Sequence, residues 1–343
     1  MTSNTENNPP PAERTVLVIG GAGYVGTELC RQLLGGGYQV RILDSLIYGH
    51  GHAIRQFLSN QNFEFILGDI RSEKEVGAAL NGASDVIVLA GLVGDPICKK
   101  FPELARDVNL TSIKRAIDQC VGASINRLIF ASTCSNYGLR DTDNPASEDA
   151  ALNPVSLYAE CKVAVEQHIL EHAGTFDFTT TVLRIATAYG FSQRMRFDLT
   201  ISEFTRELAS GRDLLVYDED TWRPYCHISD LSRAMIMVLE APADIVSGEV
   251  FNIGNDAENF TKKMIVELIQ GHLPDAEVVF KIGGVDPRNY RVSFDKAIAK
   301  LGFKNAYSVN AEIPKLIDAV QSGLFTGDDQ NPNAYGNYEI RDN

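Results

Sequence analysis

The sequence has few of the features that are typical of secreted proteins, of proteins stabilised by a structural metal, or of membrane-spanning proteins. Its six cysteines are scattered and form no CxxC or metal-type pair. No stretch approaches the roughly 18 uninterrupted apolar residues that a membrane-spanning helix needs, and the N-terminus shows no charged segment followed by an apolar one. We therefore expect a cytoplasmic protein with free thiols and no membrane partner.

Basic residues are also in short supply. Thirty-one Lys and Arg stand against 45 Asp and Glu, which gives a net charge of −14. A field of this sign repels polyanions, so we expect no nucleic-acid partner and no binding to anionic membranes. A small anionic substrate would need a local basic clamp. The remaining composition, 44% hydrophobic and 22% charged, is typical of a globular protein.

The chain of 343 residues is long enough for about two domains. Residues 1–14 and 326–343 are polar and are predicted to be tails that bury no apolar surface. Between them, short apolar runs alternate with helix-like segments, which predicts an α/β fold with a doubly wound parallel sheet. The six predicted strands are Thr15–Ile19, Gln39–Leu43, Phe63–Leu67, Asp85–Leu89, Arg127–Ser132 and Thr179–Leu183.

A glycine-rich turn, Gly20–Gly26, follows the first predicted strand. Glycines at this spacing allow a tight turn and a close approach of the backbone to a pyrophosphate, although glycine clusters also occur in plain turns. Asp44 closes the second strand eighteen residues after Gly26, where a carboxylate would bind a ribose and repel a 2′-phosphate. NAD is therefore favoured over NADP, although the positive charge of the nearby Arg41 weakens this preference. The candidate cofactor residues of this region are Gly20, Gly23, Tyr24, Val25, Gly26 and Asp44.

These signals together predict a Rossmann domain over residues 15–185. After about Arg184 the alternation of strands and helices loosens, and we predict a smaller mixed substrate-binding lobe over residues 186–325. Helices are expected at Phe197–Ala209 and Lys262–Gln270. Part of residues 225–255 is predicted to return to the Rossmann domain.

A second group of candidate residues combines Tyr158 and Lys162, four positions apart on a predicted helix. This spacing places both side chains on one helix face, where an ammonium could stabilise a phenolate and lower its pKa. The alternative is an amphipathic helix with an exposed lysine. Thr133, at the end of the fifth strand, favours the catalytic reading because ligands bind at that edge of an open α/β sheet.

In combination these motifs resemble the extended short-chain dehydrogenases/reductases of the nucleotide-sugar epimerase and dehydratase group, from about Thr15 to Gly323. Two further segments carry the resemblance: Leu183–Gly190, similar to the family's strand beside the nicotinamide, and Trp222–Asp230, similar to a block of its substrate lobe. The resemblance implies an NAD-dependent enzyme that acts on a nucleotide-diphosphate sugar and forms a homodimer.

The resemblance also implies roles for individual residues. Tyr158 would be the general base, Lys162 would hold the nicotinamide ribose, and Thr133 would hydrogen-bond the reacting hydroxyl. The cofactor would further contact Asp69, Ile70 and Ala90. The substrate would contact Arg223 through its diphosphate.

Cys134-Ser135 departs from the family pattern directly after Thr133. The 4,6-dehydratases of the family have an Asp-Glu pair here, so this activity is disfavoured. Related epimerases place a proton-transferring Cys at the position of Ser135, whereas here the cysteine comes one residue earlier. We interpret Cys134 as a small packed residue and Ser135 as a substrate contact.

Further candidate substrate contacts lie beyond the cofactor strand. Arg194 and Arg196 form either a phosphate or sugar clamp or a solvated basic loop, and Arg288 is a candidate second diphosphate ligand. These segments also resemble those of GDP-heptose 4-dehydrogenases. His168 and His172, four positions apart, lack a third metal ligand, so we predict no metal site.

The leading functional hypothesis is therefore an NAD-dependent nucleotide-sugar epimerase that oxidises a sugar hydroxyl transiently, at C4. The alternative is a nucleotide-sugar 4-dehydrogenase or 4-ketoreductase, which exchanges its reducing equivalents with another molecule. A non-catalytic nucleotide sensor is disfavoured because Tyr158 and Lys162 are both present. A homodimer would use the Tyr158 helix and a helix from about Pro102 to Val121, although their apolar faces could equally be intramolecular core.

Overall fold

A seven-stranded parallel sheet forms the centre of the molecule in the computed structural model, which describes residues 10–284, 286–326 and 333–340. Unbroken apolar runs form its inner strands because both faces of a parallel sheet are covered by helices. The strands of the main sheet are β1 (Thr15–Ile19), β2 (Gln39–Asp44), β3 (Phe63–Leu67), β4 (Asp85–Val88), β5 (Arg127–Thr133), β6 (Thr179–Ile185) and β10 (Glu249–Ile253).

The strand order is β3-β2-β1-β4-β5-β6-β10, and each neighbouring pair runs parallel. The direction of winding reverses between β1 and β4, which opens a crevice at their carboxyl ends, where ligands bind in such sheets. The predicted doubly wound α/β fold is confirmed, and all six predicted strands are present to within two residues at their ends. No strand was predicted at β10, which pairs with β6 and lies within residues 225–255, the segment of which part was expected to return to the Rossmann domain.

Helices cover both faces of the main sheet. On one face the helices Tyr24–Gly35 and Ile228–Glu240 pack together over a cluster that includes Leu33 and Met235. On the other face three further helices bury Val76, Ile117 and Val165. The helices are α1 (Tyr24–Gly35), α2 (Glu73–Leu80), α3 (Asp95–Lys100), α4 (Pro102–Arg106), α5 (Ile113–Asp118), α6 (Leu157–His172), α7 (Thr200–Ala209), α8 (Ile228–Glu240), α9 (Ala243–Val246), α10 (Lys262–Gln270), α11 (Asp295–Leu301) and α12 (Val309–Gln321).

A smaller lobe follows β6 and mixes short strands with helices. Its three-stranded sheet has the order Asn259–Thr261, Trp222–His227, Thr187–Tyr189, and a separate parallel pair joins Val278–Lys281 to Leu214–Tyr217. Helices α7, α10 and α12 enclose a core with Ile201, Ile265 and Ile313. The strands of this lobe are β7 (Thr187–Tyr189), β8 (Leu214–Tyr217), β9 (Trp222–His227), β11 (Asn259–Thr261) and β12 (Val278–Lys281). The predicted helix Lys262–Gln270 is α10, whereas the one expected from Phe197 begins at Thr200.

The structure differs from the sequence prediction at both expected tails. Residues 1–9, 327–332 and 341–343 lie outside the described part of the chain. Arg14, assigned to the first tail, is buried and forms an ion pair with Asp85 at 2.7 Å. Residues 333–340, assigned to the second tail, pack on the smaller lobe, where the Tyr335 carbonyl accepts a hydrogen bond from the Phe197 amide at 2.6 Å. Polar composition did not reveal these long-range contacts.

Within the described residues, no helix is both long enough and apolar enough to cross a membrane.

Candidate active site

One cavity of about 500 Å³ lies at the carboxyl edge of the main sheet, between the two lobes. It brings together every residue that the sequence singled out for cofactor, substrate or catalysis. Those residues are Gly20, Gly23, Tyr24, Val25, Gly26, Asp44, Asp69, Ile70, Ala90, Thr133, Ser135, Tyr158, Lys162, Arg194, Arg196, Arg223 and Arg288.

The glycine turn between β1 and α1 leaves no room for side chains at two positions. Gly20 has φ +84°, and a Cβ there would lie 2.5 Å from the Ala90 amide nitrogen. A Cβ at Gly26 would lie 2.6 Å from the Gly21 carbonyl oxygen. The backbone therefore packs closely around the N-terminus of α1, which borders the cavity. This geometry fits the diphosphate of a dinucleotide, which binds to the free N–H groups and the positive dipole end of such a helix.

Asp44 ends β2 beside this turn. Its carboxylate accepts hydrogen bonds from the Ala22 amide at 3.1 Å and the Leu46 amide at 2.8 Å. Burial raises the pKa of Asp44 to about 6, although both amides oppose the shift. His50, also buried, lies 3.7 Å from the same carboxylate. The position fits a carboxylate that accepts hydrogen bonds from a ribose.

Asp69, which is expected to contact the cofactor, lines the cavity from the loop after β3. Burial would raise the pKa of Asp69, but hydrogen bonds from Arg71 hold it below its ordinary value. The Asp69 amide donates to Glu75 at 2.6 Å, which fixes the loop against α2. Ala90 follows β4, and its amide donates to the Ile19 carbonyl at 2.8 Å. These contacts hold the loops after β3 and β4 at the cavity wall.

Tyr158 and Lys162 lie on one face of α6, one turn apart. The Lys162 ammonium is buried, lies 5.8 Å from the centre of the Tyr158 ring and donates to the Ala131 carbonyl at 2.7 Å. Burial lowers the pKa of Lys162 to about 8 and raises the pKa of the Tyr158 phenol. The spacing of the two residues is as the sequence predicts. The ammonium is bonded to Ala131, and burial of the phenol outweighs the lowering of its pKa that the sequence predicts.

Thr133 ends β5, and its hydroxyl accepts a hydrogen bond from the Ser135 amide at 3.1 Å. Cys134, between them, is buried, and its thiol donates to the Arg184 carbonyl at 3.2 Å. Burial raises the pKa of this thiol. The contacts agree with the interpretation of Cys134 as a packed residue. All six cysteines are free and buried.

The sequence analysis did not identify a buried ion pair between α6, which contains Tyr158 and Lys162, and β6. Glu166, four residues after Lys162 on α6, pairs with Arg184 of β6 at 2.8 Å. The same carboxylate accepts hydrogen bonds from Ser132 and from the Asn136 amide group. The group links α6, β5 and β6. The sequence feature that could have revealed this group is the spacing of four residues from Lys162 to Glu166, which places a second charged residue on the same face of α6.

The basic clamp of the smaller lobe combines Arg223 of β9 with Arg288. Asp286 accepts hydrogen bonds from both guanidinium groups, at 2.9 and 2.8 Å. Although burial opposes the effect, the two arginines hold the pKa of Asp286 well below its usual range. Arg288 also contacts Asp95 at 3.1 Å and the Ser135 hydroxyl at 3.3 Å. The sequence did not identify the two carboxylates.

Arg194 and Arg196 are both buried, so the solvated-loop alternative is wrong. Arg196 forms two hydrogen bonds with Asp198, at 2.9 and 2.6 Å. Arg194 donates to the Gly336 carbonyl at 2.7 Å. Burial lowers the pKa of Arg194 to about 10. Both arginines keep a positive charge at neutral pH at the edge of the cavity.

His168 and His172 of α6 do not line this cavity. His168 bonds to Asp118 at 2.7 Å, and its ring lies 4.8 Å from that of His172. Across residues 10–284, 286–326 and 333–340, no group of three or more His, Cys, Asp or Glu could hold a metal ion.

Comparisons with known proteins agree with this geometry. Residues 16–254 match the model of the NAD dependent epimerase/dehydratase family. The UDP-glucose 4-epimerase of Corynebacterium glutamicum is 29% identical over 306 residues, which cover 84% of this chain and 90% of the relative. The low-salt glycan biosynthesis protein Agl12 of Haloferax volcanii is 31% identical over 324 residues, which cover 92% of this chain and 99% of the relative. Among solved structures, UDP-glucose 4-epimerase of Thermotoga maritima with UDP-glucose matches with a TM-score of 0.80 and 25% identity, covering 90% of this chain and 99% of the other.

Proposed function

The chain belongs to the NAD-dependent epimerase/dehydratase family, and we propose that it is a nucleotide-sugar epimerase that oxidises a sugar hydroxyl transiently, at C4. Membership of the family confirms the predicted enzyme class and NAD dependence. The observation that supports the proposal most strongly is that Thr133, Tyr158 and Lys162 line the same cavity as the glycine turn and Asp44.

The chain's own residues would divide the work as follows. Tyr158 takes the proton of the sugar hydroxyl and later returns it, and Thr133 holds the oxygen in place by a hydrogen bond. NAD, held by the glycine turn, Asp44 and Lys162, would supply a hydride acceptor and donor at the same sugar carbon. Lys162, which is cationic below a pKa of about 8, would bind the cofactor ribose and oppose the rise that burial causes in the pKa of Tyr158.

Arg223 and Arg288 support a substrate that carries a diphosphate. Two guanidinium groups that converge on one side of a cavity form a site for this group, since each can donate two parallel hydrogen bonds to phosphate oxygens. The Arg288 contact with Ser135 places this clamp next to the catalytic strand end. The similarity to UDP-glucose 4-epimerases makes UDP-hexoses the first sugars to test.

The residues after Thr133 argue against dehydration. Elimination of water needs an acid and a base at the sugar ring, and Cys134 instead has its thiol buried against the Arg184 carbonyl. Burial raises the pKa of that thiol, so it does not form a thiolate at neutral pH. We therefore propose that the ketone returns to an alcohol rather than losing water.

The proposal is tested by proton NMR of the purified protein with a panel of UDP-, GDP- and dTDP-sugars and no added cofactor. We expect a new anomeric signal that grows over many turnovers without accumulation of ketone. Conversion that stops at one product per enzyme and resumes only with an added oxidant would instead establish the 4-dehydrogenase. Conversion that requires a supplied reductant would establish the 4-ketoreductase.

We propose in addition that the protein is a cytoplasmic homodimer, with α6 and the segment from Pro102 to Val121 at the interface. Apolar residues of that segment such as Ala105 and Ile113 are buried within the protomer, so the contact would use outer side chains such as the exposed Val121 and Leu170. Light scattering of the purified protein measures the mass directly, and a monomer at micromolar concentration contradicts the dimer.

A further inference from the structure

The loop that contains Arg194 and Arg196 is fixed to the N-terminus of α1. The Ser192 hydroxyl donates to the Tyr24 carbonyl at 2.7 Å and lies 2.9 Å from the Thr27 hydroxyl. The Tyr24 hydroxyl in turn donates to the Gly190 carbonyl at 2.6 Å. The loop therefore covers the end of the helix at which a dinucleotide diphosphate binds.

Apolar packing reinforces this placement. Tyr24, Met195 and Phe197 belong to one buried cluster, and Tyr335 of the C-terminal segment packs against it. Arg196 lies near enough to α1 to oppose the rise that burial causes in the pKa of Tyr24. The packing and this electrostatic contact together place the loop beside the N-terminus of α1.

The C-terminal residues Asn333–Ile340, which we name the clasp, hold this loop from outside. Arg194 donates to the Gly336 carbonyl at 2.7 Å and to the Asn337 side-chain oxygen at 3.3 Å. The Asn337 amide group reaches the Val93 carbonyl of the Rossmann domain at 3.4 Å, and Ile340 packs against that domain's core. The clasp therefore spans the two lobes, and Asn337 and Tyr338 line the cavity themselves.

The clasp also has its own internal support. The Asn333 side chain is buried and accepts hydrogen bonds from the amides of Tyr338 and Glu339, at 3.1 and 2.9 Å. Its amide group donates to the Glu339 carbonyl at 2.6 Å. These bonds fold the segment back on itself, so its shape depends on one side chain.

We propose that the clasp retains the cofactor by holding Arg194 and Arg196 against the diphosphate of bound NAD. Within this loop two guanidinium groups outnumber the one Asp198 carboxylate, which suits a dianionic diphosphate that also meets the N–H groups of α1. This inference rests on the proposed function, because an epimerase must keep its reduced cofactor until hydride returns. It assigns Arg194 and Arg196 to the cofactor, whereas the sequence interpretation assigned them to the substrate.

The placement of the other arginines is consistent with this division. Arg288 contacts Ser135, two residues from Thr133, and shares Asp286 with Arg223. One pair of arginines therefore lies beside the catalytic strand end, where a nucleotide sugar would bind. The other pair lies beside the glycine turn.

The experiment measures NAD release from the holoenzyme. Full-length protein is loaded with NAD that carries a radioactive adenine, diluted into excess unlabelled NAD without any sugar, and sampled for retained label. We expect Asn337→Ala and Asn333→Ala to accelerate release about tenfold, and Arg194→Gln about 10- to 100-fold. Glu339→Ala is the matched control, because its exposed side chain lies in the same segment and only its backbone bonds to Asn333.

A double variant separates positioning from general destabilisation. If Asn337 acts through Arg194, Arg194→Gln combined with Asn337→Ala releases NAD no faster than Arg194→Gln alone. Release from Asn337→Ala at the rate of Glu339→Ala would overturn the clasp, even if the buried Asn333 variant failed to fold. The NAD-release assay contains no sugar, so its result does not depend on turnover. Inactivity on every nucleotide sugar would therefore refute the proposed function and leave the measured release rates unchanged. An active epimerase with unchanged release refutes the clasp alone.

Discussion

Two of the arginine–carboxylate groups at the candidate active site differ in the burial of their carboxylates. The Glu166–Arg184 pair lies within the sheet and α6, and its side chains are 1% and 5% exposed. Asp286, which joins Arg223 and Arg288, is 32% exposed and lines the cavity. A buried pair cannot exchange its partner without leaving a charge unsatisfied. A pair at a cavity can release its guanidinium groups to an incoming diphosphate, so we expect the same chemistry to support the fold in one place and ligand binding in the other.

Neither group transfers protons in this account, so the largest effect on activity should come from Tyr158. We expect Tyr158→Phe to lower kcat by about 10²- to 10⁴-fold, since it removes the general base and acid, while NAD content stays unchanged. Steady-state rates with the sugar identified by NMR provide the measurement. Tyr217→Phe, which alters an exposed tyrosine on β8, serves as the control. Full turnover by Tyr158→Phe would refute the mechanism.

The buried group should govern stability. Glu166→Ala leaves the Arg184 guanidinium buried without its carboxylate, and we expect a loss of about 3–5 kcal/mol in the free energy of unfolding. Urea denaturation measures it. Glu160→Ala on the same helix, at an exposed position, should change stability by about 0.5 kcal/mol or less. Similar values for both variants would remove the distinction between the two groups.

The cavity group should govern substrate affinity instead. We expect Arg223→Met and Arg288→Met each to raise KM for the nucleotide sugar about 10- to 100-fold, because each removes charged hydrogen bonds to phosphate. Melting temperature and NAD content should change little. If either variant lost as much free energy of unfolding as Glu166→Ala, the ion pair with Asp286 would stabilise the fold in the same way as the Glu166–Arg184 pair.

Asp44 offers a third kind of carboxylate, buried and bonded to backbone amides. Its folded-state pKa is raised to about 6 by burial, so protonation below that pH removes an acceptor for the ribose hydroxyls. NAD affinity should therefore fall as pH drops below 6, by about tenfold at pH 5. Calorimetric titration of the apoprotein from pH 5 to 8 gives the profile. Asp44→Asn should bind NAD more weakly and lose this dependence; a flat profile in the unaltered protein would contradict it.

The sequence predicts what is local in the chain. The six strands are apolar runs, the glycine turn spans seven residues, and Tyr158 and Lys162 are four positions apart. Each of these features can be recognised within a short stretch of sequence. The partners it missed are distant: Asp286 lies 63 positions from Arg223, and Gly336 lies 142 from Arg194. Pairing at such separations is decided by how distant segments of the chain pack in three dimensions. No local pattern specifies that packing, and for the same reason the bounds of the closing strand β10, which pairs with β6, were not predicted.

The central claim is that hydride leaves and returns to one sugar carbon, and isotope transfer tests it most directly. The substrate found by NMR is prepared with deuterium at C4 and converted in ordinary water, and the product is analysed by mass spectrometry and proton NMR. We predict that the epimerised product keeps its deuterium at C4, since the label travels with the hydride and never meets solvent. Loss of the label to water during conversion would contradict the account, because it would mean that the carbon exchanged a proton.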